Sequence, residues 1–402
     1  MRADPDRLRF DVEARDGRAR AGTLHTGHGT VSTPAFIPLA TKATVRSLSS
    51  EDVAELGYEL ILGNTFHLLL SPGPERIAER GGMHGFMAWP RAIVTDSGGF
   101  QVFSLAHGTV ADEVKGRRGR REGRGAVLEI SEQGARFRSY VDGAEKMLSP
   151  ERSMEVQAAI GSDIALAFDE CTPYHADRDY TARSTERTHR WLDRCLAWHE
   201  REGPAGQALF GIVQGGVHPD LRRESAERVS AAAVDGIAIG GTLGRDKPEM
   251  YGVLDMTVPH LAADAPCHLL GVGEVDDLIA GVERGIDLFD CAMPTRLARH
   301  GMALVPDPGG RFRVNVRNAA MATEAGPLVE GCPCLACGSY DRAYLHYLSR
   351  AEEMTGVRLL TLHNLAYMRE LMRAMREAIL AGGFKAFAAA TLDGAAPWQA
   401  GA

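Results

Sequence analysis

The sequence predicts an α/β chain folded as a (β/α)8 TIM barrel, and three observations carry that expectation. Eight short apolar runs recur along the chain, nearly all ending in small or polar residues. They are Pro34–Leu39, Glu59–Asn64, Ala92–Asp96, Asp163–Asp169, Ala208–Gln214, Gly236–Gly240, His268–Gly273 and Ile286–Asp290. Continuous apolar runs of this length suit parallel strands buried on both faces better than half-exposed antiparallel ones. Between most of them lie helical patterns, such as Ser184–Leu196 and Pro219–Val229. Eight strand–helix units are the count of a closed barrel, although an open doubly wound sheet alternates in the same way.

Two departures from this rhythm define the rest of the organisation. The connection from Asp96 to Asp163 is far longer than a crossover needs. It holds a glycine-interrupted basic run (Lys115, Arg117, Arg118, Arg120, Arg121, Arg124), then the alternating segments Ala126–Glu132 and Ala135–Gly143. That alternation predicts an antiparallel hairpin inserted at about 105–150 in a barrel spanning 10–300. The basic run reads as a solvated loop or as a phosphate-contacting patch. The second departure follows Asp290, where a cysteine cluster and helical patterns suggest a subdomain over 301–385. The tail from 386 to 402 is rich in alanine and glycine and is expected to fray.

Composition bounds the function classes. The 402 residues are 45% apolar and 24% charged, ordinary for a globular protein. A net charge of −8 argues against binding nucleic acid through overall charge. No apolar run is long enough to cross a bilayer, and Met1–Gly22 has no apolar signal-like core. The expectation is a cytoplasmic protein without membrane partners.

Cys332, Cys334 and Cys337 lie within one short segment, with His346 and His363 downstream. Three thiolates and one imidazole fill the corners of a tetrahedral zinc site, and a filled tetrahedron leaves no position for substrate. The metal would therefore be structural. A disulfide with a spare thiol would need an oxidising compartment, which nothing here suggests. Spacing alone leaves the fourth ligand open between His346 and His363.

The chemistry then falls to the strand ends, where barrels place their active sites. Those ends carry Asp96, Asp169 with Glu170, Gln214, Gly240 with Gly241, and Asp290. A single strand-end aspartate is commonly a helix N-cap. Several facing one mouth make a glycosyl-transfer constellation, one as nucleophile on an anomeric carbon and another as general acid/base. The segment Asp96-Ser97-Gly98-Gly99-Phe100-Gln101 supplies a carboxylate, a permissive backbone and an aromatic face. With Gln214 and the paired glycines, these groups would suit a planar purine.

Asp96-Ser-Gly-Gly-Phe-Gln101, Ala167-Phe-Asp-Glu-Cys-Thr-Pro173, Gly211-Ile-Val-Gln-Gly-Gly216 and Phe289-Asp-Cys-Ala-Met-Pro-Thr-Arg296 together resemble the bacterial tRNA-guanine transglycosylases, also called queuine tRNA-ribosyltransferases. Cys332-x-Cys334-x-x-Cys337 with His363 belongs to the same resemblance, which runs from about Phe10 to about Phe384. It implies a zinc-bearing barrel that commonly forms homodimers. Such enzymes exchange guanine at the tRNA wobble position for a 7-deazaguanine base such as preQ1.

By that resemblance Asp290 is the nucleophile on ribose C1′ and Asp96 the general acid/base. Asp169, Gln214 and Gly241 hold the base edge, Ser97, Gly98 and Gly99 shape the pocket, and Phe100 stacks on the base. The loop Gly271-Val272-Gly273-Glu274-Val275-Asp276-Asp277 and the segment Thr295-Arg296-Leu297-Ala298-Arg299 contact RNA. His363 becomes the preferred fourth ligand beside Cys332, Cys334 and Cys337.

The sequence also departs from the family pattern. After the sixth strand it reads Gly240-Gly241-Thr242-Leu243-Gly244-Arg245-Asp246, one residue shorter than the usual loop and without its glutamate. Leu270 stands where methionine is common, and Ala40 where glycine is usual. The shortened loop bears on which deazapurine is accepted. A non-catalytic, tRNA-binding relative would be expected to have lost a catalytic aspartate, and both are present. A zinc-dependent barrel hydrolase would need histidines at the strand ends.

Overall fold

A computed structural model describes residues 7–102, 127–241 and 243–400. The basic run from Lys115 to Arg124, and Thr242 in the shortened loop, lie outside the described residues.

The chain begins with an antiparallel sheet that the sequence reading did not anticipate: β1 (Arg9–Asp16), β2 (Ala19–Thr26) and β3 (Gly29–Thr33). The barrel follows with β4 (Ala35–Ile37), β5 (Leu39–Ala40), β6 (Leu60–Gly63) and β7 (Ala92–Thr95). An inserted sheet comes next, made of β8 (Val127–Ser131), β9 (Gly134–Arg138) and β10 (Glu145–Leu148). The barrel then resumes with β11 (Ile164–Leu166), β12 (Ala208–Val213), β13 (Gly236–Ile239), β14 (Cys267–Leu269) and β15 (Leu288–Asp290). After it, β16 (Met302–Leu304) and β17 (Arg313–Asn315) form a hairpin.

All eight apolar runs thus contain barrel strands. The parallel sheet runs β4-β15-β14-β13-β12-β11-β7-β6-β5. Its two ends, β4 and β5, flank Pro38, whose missing N–H divides one strand into two short pieces. One piece pairs with β15 and the other with β6, so the ring has eight strand positions. The expected hairpin is present as β8 and β9, and among the described residues Glu145–Leu148 adds a third strand along β9.

Inside the barrel, alternate residues of each strand meet: Leu60 and Leu62, Val94, Ile164 and Leu166, Phe210 and Ile212, Ala238 and Leu288. Leu8, Leu24 and Val31 from the N-terminal segment belong to the same cluster, so this sheet plugs the barrel at its N-terminal end. At that end three aspartates do structural work. Asp163 accepts from Ile93 N at 2.8 Å, Asp235 from Leu209 N at 2.8 Å and Asp287 from Cys267 N at 2.7 Å. Each ties down a strand-entry N–H that would otherwise be orphaned.

The long helix Met354–Leu380 serves two cores. Leu362, Leu365, Met368, Leu371 and Met375 pack with the residues outside the barrel, while Leu359, Leu360 and Ala366 join a second cluster around Cys332 and Cys334. The tail expected to fray is ordered over most of its length. Phe384–Leu392 is helical, Phe387 is buried, and Trp398 Nε1–H donates to Glu330 O at 3.0 Å. Its alanines suit a helix, and Phe387 and Trp398 supply anchors that the bulk composition conceals. No helix among the described residues is long and apolar enough to cross a membrane.

Candidate active site

Most strand-end residues singled out from the sequence reach one mouth; Glu170 does not, and its carboxylate accepts from Tyr180 and Arg187 instead. Asp96, Ser97, Phe100, Asp169, Gly241, Gly271, Asp290 and Arg296 line a cavity of about 380 Å³, closed below by Leu39, Leu62, Leu166 and Ile212. Gln214 sits behind this wall, buried, and enters through its contact with Asp169.

Asp96 follows β7 and is held from three directions. Asn64 Nδ2 donates to Oδ2 at 2.5 Å, Gln101 Nε2 to Oδ2 at 3.0 Å, and Thr65 N to Oδ1 at 2.8 Å. Asn64 also N-caps the helix Thr65–Leu70 through its side-chain oxygen, so one residue anchors both helix and carboxylate. Burial pushes the Asp96 carboxyl up to about 7, and the charge of Asp290 adds to the effect.

Asp169 follows β11. Ser97 Oγ donates to its Oδ1 at 2.9 Å and Gln214 Nε2 to its Oδ2 at 2.6 Å. Burial raises this carboxyl to about 6 against the pull of those two donors. Gln214 Oε1 has no hydrogen-bond partner among the described residues and lies beside Gly241 as a buried acceptor. Phe100, in contrast, is 44% exposed at the cavity edge, with its ring available for stacking.

Gly241 has φ +80°, and a Cβ placed there would lie 2.2 Å from Gln214 Oε1. Gly241→Ala is therefore expected to strain the backbone, displace Gln214 and raise KM for the base by about tenfold or more. Base-exchange kinetics at saturating tRNA check this. Beneath the loop, Arg222 is fully buried and donates to Gly216 O at 2.7 Å, Val213 O at 3.2 Å and Gly240 O at 2.9 Å. It holds both glycine pairs in place. Sequence reading missed Arg222 and Asn64 as parts of the site and gave Gln101, although within the Asp96–Gln101 motif, no role of its own.

Asp290 ends β15 and is buried at 8% exposure. Gly271 N donates to its Oδ1 at 3.2 Å. Of the segments expected to meet RNA, Gly271 and Arg296 reach the cavity. The Arg296 and Arg46 charges, with burial first, lower the basicity of Arg299, so three guanidiniums share one neighbourhood near the mouth. Val272, Val275, Thr295 and Ala298 are buried. Asp276 and Asp277 are tied to Lys247 at 2.5 and 2.9 Å, and Glu274 lies 3.5 Å from Arg313. Gly273 packs against Cys291, and Leu297 packs against the main core.

Away from the mouth, His363 Nδ1 lies 3.7, 3.4 and 3.3 Å from the sulfurs of Cys332, Cys334 and Cys337. His363 Nε2–H donates to Leu304 O at 2.7 Å, which leaves the Nδ1 lone pair facing the thiols. These four could hold a metal ion. His346 instead meets Val316 O at 2.8 Å and takes no part.

The family description Queuine tRNA-ribosyltransferase matches residues 15–396. The chain belongs to the queuine tRNA-ribosyltransferase family. It is 51% identical to the queuine tRNA-ribosyltransferase of Roseiflexus sp. (strain RS-1), over 94% of this chain and 97% of that protein. Similar likeness extends to the enzymes so named from Symbiobacterium thermophilum, at 46% identity over 98% of this chain and 92% of the relative, and Zymomonas mobilis, at 45% over 96% and 95%.

Proposed function

We propose that this chain is a tRNA-guanine transglycosylase that replaces guanine at the anticodon wobble position with a 7-deazaguanine base, preQ1, in queuosine biosynthesis. The observation that carries the reading is the single cavity on which Asp96, Asp169 and Asp290 converge, in a chain of this family.

Asp290 acts as nucleophile on ribose C1′, forming a covalent ribosyl–enzyme ester as guanine departs. Asp96 protonates the leaving guanine and then takes a proton from the incoming base. Asp169, Gln214 and the Gly241 backbone hold the base edge, Ser97 braces Asp169, Gly98 and Gly99 leave room for the base, and Phe100 stacks on it. Two displacements at one carbon return the original configuration, and exchanging one N-glycoside for another needs no nucleotide triphosphate. Water exclusion matters, since hydrolysis of the ester would leave an abasic site.

Arg296 and Arg299, with the backbone of 271–277, are the groups offered to RNA phosphates, and an unstacked anticodon base is the form in which proteins read RNA sequence. The Cys332, Cys334, Cys337 and His363 set matches zinc in donor type and number, as a structural ion. A homodimer and a cytoplasmic location complete the reading. Exposed Tyr344, Tyr347 and Met354, at 41%, 63% and 85%, give the dimer a surface to cover, and sedimentation velocity tests it.

A raised Asp96 carboxyl has a pH consequence. As the acid it must carry its proton when guanine leaves, so kcat/KM for tRNA should fall as pH rises through about 7. Stability shares the sign. The folded value lies above the unfolded one of about 3.9, so its contribution is full below that and is lost as pH rises through the folded value. Asp96→Asn should therefore gain stability relative to wild type at pH 8 more than at pH 5, read by urea unfolding.

The shortened loop Gly240–Asp246 favours one second reading, a deazapurine with a different 7-substituent. Labelled guanine exchange with competing bases decides. Suppression by preQ1 supports the first reading, and suppression only by another deazaguanine supports the second.

A further inference from the structure

His268 sits on β14, beside β15, with its imidazole fully buried. Its Nε2 lies 3.0 Å from Asp290 Oδ1, the same oxygen that accepts from Gly271 N at 3.2 Å. Both donors therefore fall on one carboxylate oxygen, and Oδ2 receives none from the described residues. The other ring nitrogen, Nδ1, is buried without a hydrogen-bond partner among the described residues. Among the described residues Asp290 is the hydrogen-bond partner of the ring, and its carboxylate selects the Nε2–H tautomer.

We propose that His268 is a positioning residue for the nucleophile: its Nε2–H and the Gly271 N–H hold Oδ1, orient the carboxylate and leave Oδ2 to attack C1′. This rests on the transglycosylase reading above. In the first displacement the Oδ2–C1′ bond forms while the bond from C1′ to guanine breaks. The bonding pair passes to guanine, and the proton comes from Asp96. Oδ1 is then the carbonyl oxygen of the ester and keeps both donors. In the second displacement the incoming base, its proton passed to Asp96, attacks C1′. The C1′–Oδ2 bond breaks and its electron pair returns to the carboxylate.

A hydrogen bond to a carboxylate is stronger than one to an ester carbonyl. The His268 donor therefore gains strength as Asp290 leaves, and it favours the second step. The orientation it imposes serves the first.

The test compares His268→Phe, which removes the donor, with His268→Gln, whose amide N–H reaches toward Oδ1. The readouts are steady-state guanine exchange and the fraction of enzyme trapped as RNA adduct in denaturant. His268→Phe is expected to lose about 10- to 100-fold in kcat, with KM for tRNA held within about threefold. Its adduct fraction should rise because breakdown slows, and His268→Gln should recover most of the rate.

A folded His268→Phe with wild-type kcat would overturn the assignment. So would equal losses in the Phe and Gln variants with no change in adduct fraction, since that is the mark of packing alone. Should His268→Phe fail to fold, the shorter amide of His268→Asn replaces it. Gln well above Asn supports the proposal, and equal rates refute it. Failure of the wild type itself to exchange guanine would sink the transglycosylase reading, which no His268 variant result does.

Discussion

Asp290→Asn is expected to lower guanine exchange by about 10⁴-fold or more and to abolish the covalent RNA adduct. The fold should survive, because the asparagine side-chain oxygen can still accept from Gly271 N, and the substitution preserves volume at a site only 8% exposed. An amide oxygen is a poor nucleophile and a worse leaving group, so both displacements fail together. Metal content and thermal unfolding should match the wild type. A variant that lost activity only because it unfolded would show in those two measurements.

Cys334→Ser should act in the opposite way, on the protein before the chemistry. Cys334 converges with two other sulfurs on His363, and its sulfur also accepts from Cys337 N at 3.3 Å as the N-cap of the helix Leu335–Ser339. Serine keeps a cap but is a poor zinc ligand. Binding free energies of structural zinc are about 10–16 kcal/mol in small zinc domains. Part of that here is stability of the subdomain whose core contains Cys332, Cys334, Leu345 and Leu360. The expected result is loss of bound zinc, lower soluble yield and a lower unfolding midpoint, with residual activity per folded molecule. Full stability without zinc would remove the structural-metal claim.

The barrel was legible because a parallel strand buried on both faces is written as a continuous apolar run. The strand-end aspartates were legible because barrels place polar groups there. Asp163 and Asp287 show the limit: they are buried aspartates beside barrel strands, yet they bind strand-entry N–H groups at the opposite end. Residue type alone does not separate the two uses; position relative to the strand does. The N-terminal sheet escaped notice because neither β1 nor β2 contains a continuous apolar run, although β1 alternates as a half-exposed strand does. The tail was misjudged on average composition, although Phe387 and Trp398 were there to anchor it.

The residues that could hold a metal ion divided along the same line. Cys332, Cys334 and Cys337 announce themselves by spacing, whereas the fourth ligand comes from a helix that only folding brings near. His363 and His346 both lie on helices in that region, and only the His363 ring faces the three sulfurs. Asn64, Gln101 and Arg222 act by holding other site groups, which sequence alone does not display.

The central claim is a covalent intermediate on Asp290. The direct measurement is to mix the wild type with labelled tRNA bearing a wobble guanine, quench in denaturant, digest, and locate the attached nucleotide by peptide mass spectrometry. The account predicts RNA linked through ribose to the peptide containing Asp290, released when excess guanine is added before the quench. Exchange without any adduct, or an adduct on Asp96 or Asp169 instead, would contradict it.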